Sequence, residues 1–215
     1  MALQNRVTPE GDIVANPARG LFMGNRGILH GDNQRLDRTR WRHPHWVTCV
    51  LVHKDWHRPV MQPHAYTELF FLDEATAFAA GHRPCALCRR AAYYAFQEAL
   101  AKALHRDEHL GADALDRMLH QARIVRGSRR QRRFEAVLDD LPDGAMVRFP
   151  DKPDVAWLVN GTHLFRWQHG GYDDVTTRPL GELVEVLTPR PTILALQQGY
   201  EPLLHPTAEQ LRQEQ

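Results

Sequence analysis

Two of the three cysteines stand in the segment Gly81-His82-Arg83-Pro84-Cys85-Ala86-Leu87-Cys88-Arg89-Arg90. Pro84 suits the first turn of a helix, where its missing N–H leaves nothing unpaired. A helix running on from Pro84 puts Cys85 and Cys88 three residues apart, so both thiols leave one face of its first turn. Free amides, the helix dipole, and the charges of Arg83, Arg89 and Arg90 all favour thiolate there. Paired thiolates at this spacing are metal ligands, and zinc takes four such donors, from Cys and His, in a tetrahedron. Only Cys49 remains among the cysteines, so a closed site needs at least one of the thirteen histidines.

Rival chemistries fit less well. A thioredoxin-like redox pair follows a strand directly in a βαβ unit, whereas here a short helix over 73–80, stopped by Gly81, separates the pair from the strand at Thr67-Glu68-Leu69-Phe70-Phe71. Three cysteines are too few, and odd in number, for a disulfide framework. Burial of both as plain core residues is the remaining alternative. His53, Asp55 and His57 fall on one face of an extended segment and form a second, weaker constellation of the facial-triad type, although a solvated strand end explains the same pattern. Arg126, Arg129, Arg130, Arg132 and Arg133, with Arg123 just before them, surround Gly127-Ser128. They are candidate phosphate contacts or a solvated connector balanced by Asp139, Asp140 and Asp143. Trp157, Trp167 and Tyr172 are candidates for base stacking or for the core of a small barrel. There is no glycine-rich phosphate loop or nucleophile elbow, and the lone serine, Ser128, argues against a serine hydrolase.

The elements that must position these residues read as an α+β fold. Trp46 to Val52 is the clearest strand, being apolar and β-branched. Short strands are expected near 21–23, 27–30, 58–61 and 66–71. Asp73 is the expected N-cap of the short helix. The helix after Pro84 reaches about His105, with Ala92, Phe96, Leu100 and Ala103 as its buried stripe. A further helix fits 112–124. From Ala145 onward the pattern is β, over 146–149, 155–159, 163–167 and 183–187, followed by a short helix at 192–198. The expected organisation is an extended segment over 1–20, a zinc-binding module with its long helix over 21–105, and a helical and basic connector over 106–143. A β-rich part over 144–205 and a loose polar tail over 206–215 follow. At 215 residues, 43% apolar and 25% charged, the chain is of ordinary globular composition, and a net charge of +1 exerts no global pull toward nucleic acid or membrane. Residues 1–20 lack the apolar stretch of an export signal, no run is long enough to span a membrane, and free thiols point to the cytoplasm.

Met23-Gly24-Asn25-Arg26-Gly27-Ile28-Leu29-His30 together with residues 66–88 resembles the Ada-type metal-binding domain, the phosphotriester-sensing part of a bacterial alkylation-repair protein. The resemblance is carried by Phe70-Phe71-Leu72-Asp73-Glu74-Ala75, Ala79-Ala80-Gly81 and Arg83-Pro84-Cys85-Ala86-Leu87-Cys88, and spans about residues 20–90. The whole chain also resembles a family of uncharacterised bacterial proteins that share the opening Asn5-Arg6-Val7-Thr8-Pro9. The likeness implies Zn2+ bound by Cys85 and Cys88 as the last two ligands and by His30 as the first. The usual second ligand, close after the first, is missing. Cys49 takes that role if residues 31–45 form an inserted hairpin that returns strand 46–52 beside 27–30. His82 is an alternative fourth ligand. With His30 where the repair protein has its methyl-accepting cysteine, phosphotriester repair is not implied.

The expected function is therefore that of a cytoplasmic zinc protein with ligands His30, Cys49, Cys85 and Cys88. It would bind DNA or RNA through Arg126, Arg129, Arg130, Arg132 and Arg133, with DNA repair or processing as its setting. The alternatives are an enzyme using His53, Asp55 and His57 between the two halves, and a zinc-stapled interaction protein.

Overall fold

Short apolar segments alternate with turns to build two six-stranded sheets in the computed structural model, which describes residues 2–54, 59–128 and 130–213. The first sheet is mixed. Its strands are β1 (Gln4–Val7), β2 (Ile13–Ala15), β3 (Phe22–Asn25), β4 (Val47–Val50), β5 (Leu69–Phe71) and β6 (Arg83–Pro84), in the order β2-β1-β5-β3-β4-β6. Helix α1 (Glu74–Ala79) lies between β5 and β6, and α2 (Arg90–Ala103) and α3 (Ala112–Arg123) follow. The second sheet is antiparallel throughout: β7 (Phe134–Val137), β8 (Met146–Arg148), β9 (Trp157–Asn160), β10 (His163–Gln168), β11 (Gly171–Thr177) and β12 (Leu183–Val186), in the order β11-β10-β9-β8-β12-β7. Helices α4 (Arg190–Gln197) and α5 (Pro206–Gln213) close the chain. The α+β class read from the sequence is the class observed.

The core explains the layering. Phe96, Leu100, Leu115 and Leu119 from α2 and α3 pack with Val147, Val159, Leu164 and Val186 of the second sheet. Val7, Phe22, Leu69 and Phe71 form a separate cluster within the first sheet. Helix α1 is wholly buried and carries the cap its sequence calls for, with Asp73 accepting from the Thr76 amide at 2.9 Å. Gly81 ends that stretch at φ +83, and a Cβ there would lie 2.6 Å from Cδ of Arg123, so both conformation and space require glycine.

Several expectations are corrected. Residues 1–20 are not merely extended: β1 and β2 pair around Gly11, and β1 joins β5 in the first sheet. Pro84 does not open the long helix. It ends β6, the edge strand of its sheet, where a missing N–H leaves no ladder bond unmade, and α2 begins only at Arg90. No strand forms over 27–30, because Gly27 turns the chain at φ +101. Residues 59–61 likewise form no strand, and Arg58 lies outside the described residues. The tail is α5, docked by buried Ala208 and by the Thr207 hydroxyl, which accepts from the Tyr172 amide at 2.7 Å. Among the described residues no helix is long and apolar enough to cross a membrane.

Candidate metal centre

Pleating sets the first of the three thiols. Alternation along β4 turns Thr48 into the interior, where it is fully buried, and leaves Cys49 half-buried on the opposite face. The edge strand β6 runs parallel to β4, with Val47 beside Arg83 and Thr48 beside Pro84. Its ladder continues one step beyond the strand: the Arg83 amide donates to the Trp46 carbonyl at 3.1 Å and the Cys85 amide to the Thr48 carbonyl at 2.9 Å. That step carries Cys85 alongside Cys49. The chain then turns back, with the Leu87 amide donating to Cys85 Sγ at 3.4 Å and the Arg89 amide to the Cys85 carbonyl at 3.1 Å, which returns Cys88 to the same place.

The three sulfur atoms all lie within 4.8 Å of one another. Tetrahedral zinc with Zn–S bonds of about 2.3 Å sets its sulfurs about 3.8 Å apart, so the triad fits the ion with little adjustment. Among the described residues this is the one group of His, Cys, Asp and Glu whose ligand atoms converge in this way. Three soft thiolates suit zinc, and do not suit the hard cations that prefer oxygen.

The thiols also set one another's ionisation. Hydrogen bonds from Cys49 and then Cys88 hold Cys85 far below the ordinary thiol range. The same contact with Cys85, then that with Cys88, then burial, pushes Cys49 far up. Cys88 is lowered by its bond to Cys49, but Cys85 and burial outweigh this and raise it. The three thiols thus share one hydrogen-bonded cluster in which a negative charge on one disfavours charge on the others, and a bound cation would favour deprotonation of them all.

Arg89 braces the turn. Its guanidinium pairs with Glu74 at 2.6 Å, donates to the Thr48 hydroxyl at 3.1 Å and lies over the Phe22 ring at 4.3 Å. Glu74 in turn accepts from the Tyr200 hydroxyl at 2.9 Å and the Leu203 amide at 3.0 Å. The residue next to Cys88 is thus tied to the strand that bears Cys49 and, through Glu74, to the C-terminal part of the chain.

The three cysteines come together and His30 does not join them. Strands β3 and β4 are antiparallel, with Met23 opposite Cys49 and Asn25 opposite Val47. Each residue past Asn25 therefore leads away from Cys49, and the loop over 31–45 returns β4 beside 22–25 rather than beside 27–30. The His30 ring is buried elsewhere, Nδ1 at 2.6 Å from the Thr67 hydroxyl and Nε2 at 3.1 Å from the Gln62 carbonyl. We expect His30→Ala to retain its zinc while losing about 1–3 kcal/mol of stability from unpaired buried groups; metal analysis and a denaturant melt of the variant check both. His82 is also fully buried away from the cluster, against Phe71 and Trp46 with ring centroids 4.6 and 5.3 Å apart. His53 is half-buried on the segment that leaves β4 and is not drawn into the triad. Asp55 and His57 lie outside the described residues.

The arginine segment divides. The ends of a short hairpin meet at the Ile124–Gln131 bridge, and Arg126, Arg130 and Arg132 are exposed on or beside it. Arg133 is instead turned inward, donating to the carbonyls of Glu10 at 2.6 Å and Leu187 at 3.0 Å and to the Gln131 side chain at 3.0 Å. Arg129 lies outside the described residues. Trp157 and Tyr172 are buried, and the Trp167 indole N–H donates to Thr76 at 3.0 Å. These aromatics serve the interior rather than a stacking surface.

Sequence reasoning missed the buried charges beside the centre. Arg83 forms a two-pronged pair with fully buried Asp116 at 2.8 and 2.7 Å, and His45 adds a contact to Asp116 at 2.8 Å. The indole of Trp46 lies between Arg123 at 3.9 Å and Arg26 at 4.2 Å, both guanidinium groups being buried. An Arg-Pro step before a thiol pair and a Trp preceded by His43 and His45 carry no signal of such stacking. No family model matches the chain, and neither a curated protein nor a solved structure matches it.

Proposed function

We propose that this is a zinc protein in which Cys49, Cys85 and Cys88 hold the ion, fastening the edge strand and the start of α2 to β4, and that the protein binds nucleic acid. The convergence of three sulfurs from two separate segments carries the metal reading, because free cysteines have no packing reason to gather in a half-buried position. The fourth donor comes from outside the triad. The ion's contribution is structural: binding energy at such a site is folding energy.

The nucleic-acid reading rests on two supports. One is the likeness of residues 20–90 to the Ada-type module, whose setting is DNA repair or processing. The other is that Arg126, Arg130 and Arg132 remain exposed on one short hairpin while the neighbouring arginines are consumed internally. Three phosphate contacts on duplex DNA correspond to a slope of about −3 in a plot of log affinity against log salt. Changing Arg130 and Arg132 to Ala should flatten that slope by about two and weaken all sequences alike. A zinc-loaded protein that bound neither DNA nor RNA at low salt would leave the metal site intact and remove this part of the reading.

A further inference from the structure

A second site lies away from the thiols. A cavity of about 690 Å³ opens where the β1–β2 turn, the arginine hairpin and the second sheet meet, a volume within the ordinary range for small-molecule sites. Its walls include five arginines, Arg26, Arg40, Arg130, Arg133 and Arg148, against three carboxylates, Glu10, Asp12 and Glu185. Five positive less three negative charges leaves an excess of two. Glu185 is already paired with Arg148.

The deepest cations are held by neutral groups. Arg26 is buried and donates to the carbonyls of Gly11 at 3.0 Å and Ala80 at 3.3 Å and to His82 Nε2 at 3.4 Å. Arg133 likewise donates to two carbonyls and an amide oxygen. Each guanidinium has five N–H donors, and these contacts commit three of them on each side chain. Burial holds Arg26 down to about 9 despite nearby Asp12, and Arg40 and Arg133 depress it further. Burial likewise brings Arg133 to about 10, against the opposing charges of Glu10 and Glu185. Buried charge is tolerated when a counter-charge completes it, and a fixed guanidinium fork matches the oxygens of a phosphate group. Trp41, half-buried in the same wall, offers an indole face to the organic part of a ligand.

We propose that this cavity binds a phosphate monoester, its phosphate between Arg26, Arg40 and Arg133 and its organic group against Trp41. The zinc centre plays no part in this, and Arg40 lies outside the hairpin assigned to nucleic acid, so the two readings fail separately. The chemistry is shared by a free ester such as AMP and by the terminal phosphate of a nucleic acid.

The test is titration of the intact zinc-loaded protein with AMP and with inorganic phosphate, followed by tryptophan fluorescence and calorimetry, alongside single strands bearing a 5′-phosphate or a 5′-hydroxyl. We expect saturable one-to-one binding of AMP, weakened about tenfold in Arg40→Ala by loss of a charge-assisted hydrogen bond, with duplex salt dependence unchanged in that variant. A preference for the 5′-phosphorylated strand assigns the site to nucleic-acid ends. Equal binding of the two strands with AMP binding retained assigns it to a free ester. Arg40 is half-buried rather than core, and Trp41→Ala, also half-buried and outside the hairpin, gives a second variant that should weaken AMP while leaving inorganic phosphate unchanged. No saturable signal at about 1 mM AMP, or binding that neither variant weakens, overturns the proposal.

Discussion

Cys85→Ser is expected to reduce bound zinc from about one ion per chain to near none and to lower the melting temperature by about 10 °C or more. Structural zinc binding is worth about 10–16 kcal/mol in small domains at neutral pH, and in a chain of this size each kcal/mol shifts the midpoint by about 2–4 °C. Of the three thiols, Cys85 has most to lose. It sits at the hinge between the β6 ladder and the returning turn, its amide bonded to Thr48 and its sulfur to the Leu87 amide. Treating the unaltered protein with a strong chelator should reproduce the same lowered midpoint, and adding chelator to the variant should change nothing further. Calorimetry with elemental analysis checks all three arms. A Cys85→Ser protein that kept its zinc and its midpoint would show that the triad is not the metal site.

Asp116→Ala is expected to cost about 3–5 kcal/mol, the penalty of leaving a buried guanidinium without its carboxylate. Both partners are shielded, Asp116 completely and Arg83 to within 5%, so water does not replace the lost contact. Arg83 is also a rung of β6, two residues before Cys85, and lies against the Tyr93 ring at 5.0 Å. The loss should therefore reach the metal as weaker zinc retention against a competing chelator, while Arg83→Met with Asp116→Ala, which removes both charges, should recover much of the stability. Denaturant unfolding of the two variants measures this. A cost below about 1 kcal/mol for Asp116→Ala would mean that the pair behaves as an exposed one.

Local chemistry made part of this legible in the sequence. Asp73 is a cap because a carboxylate before a helix accepts its free amides, and the structure places it there with Thr76. Cys85 and Cys88 stand out by spacing alone, and Cys49 by its place in an apolar strand. What could not be seen depends on pairing between distant segments. Pro84 reads equally well as a helix start or as the end of an edge strand, and only the partner β4 decides. His30 matches a ligand position in a resemblance, but the antiparallel register of β3 and β4 carries it the wrong way. Arginines near Gly127-Ser128 look alike in the sequence, yet Arg123 is buried and Arg133 is half-buried with its guanidinium bonded inward, whereas Arg126, Arg130 and Arg132 are exposed. A guanidinium enters the interior when an indole face and free carbonyls await it, and those come from Trp46, Pro44, Gly81 and Glu10, far away along the chain. The hairpin of β1 and β2 and the docking of α5 escaped notice because three- and four-residue strands and a polar helix bury too little to mark the sequence.

The most direct test of the metal reading is the metal content of the unaltered protein, purified without added chelator and examined by elemental analysis and zinc X-ray absorption. The account predicts about one zinc per chain with three sulfur neighbours at about 2.3 Å and one lighter donor at about 2.0–2.1 Å. A folded protein that carries no metal under these conditions, or a zinc surrounded by nitrogen and oxygen alone, would contradict it.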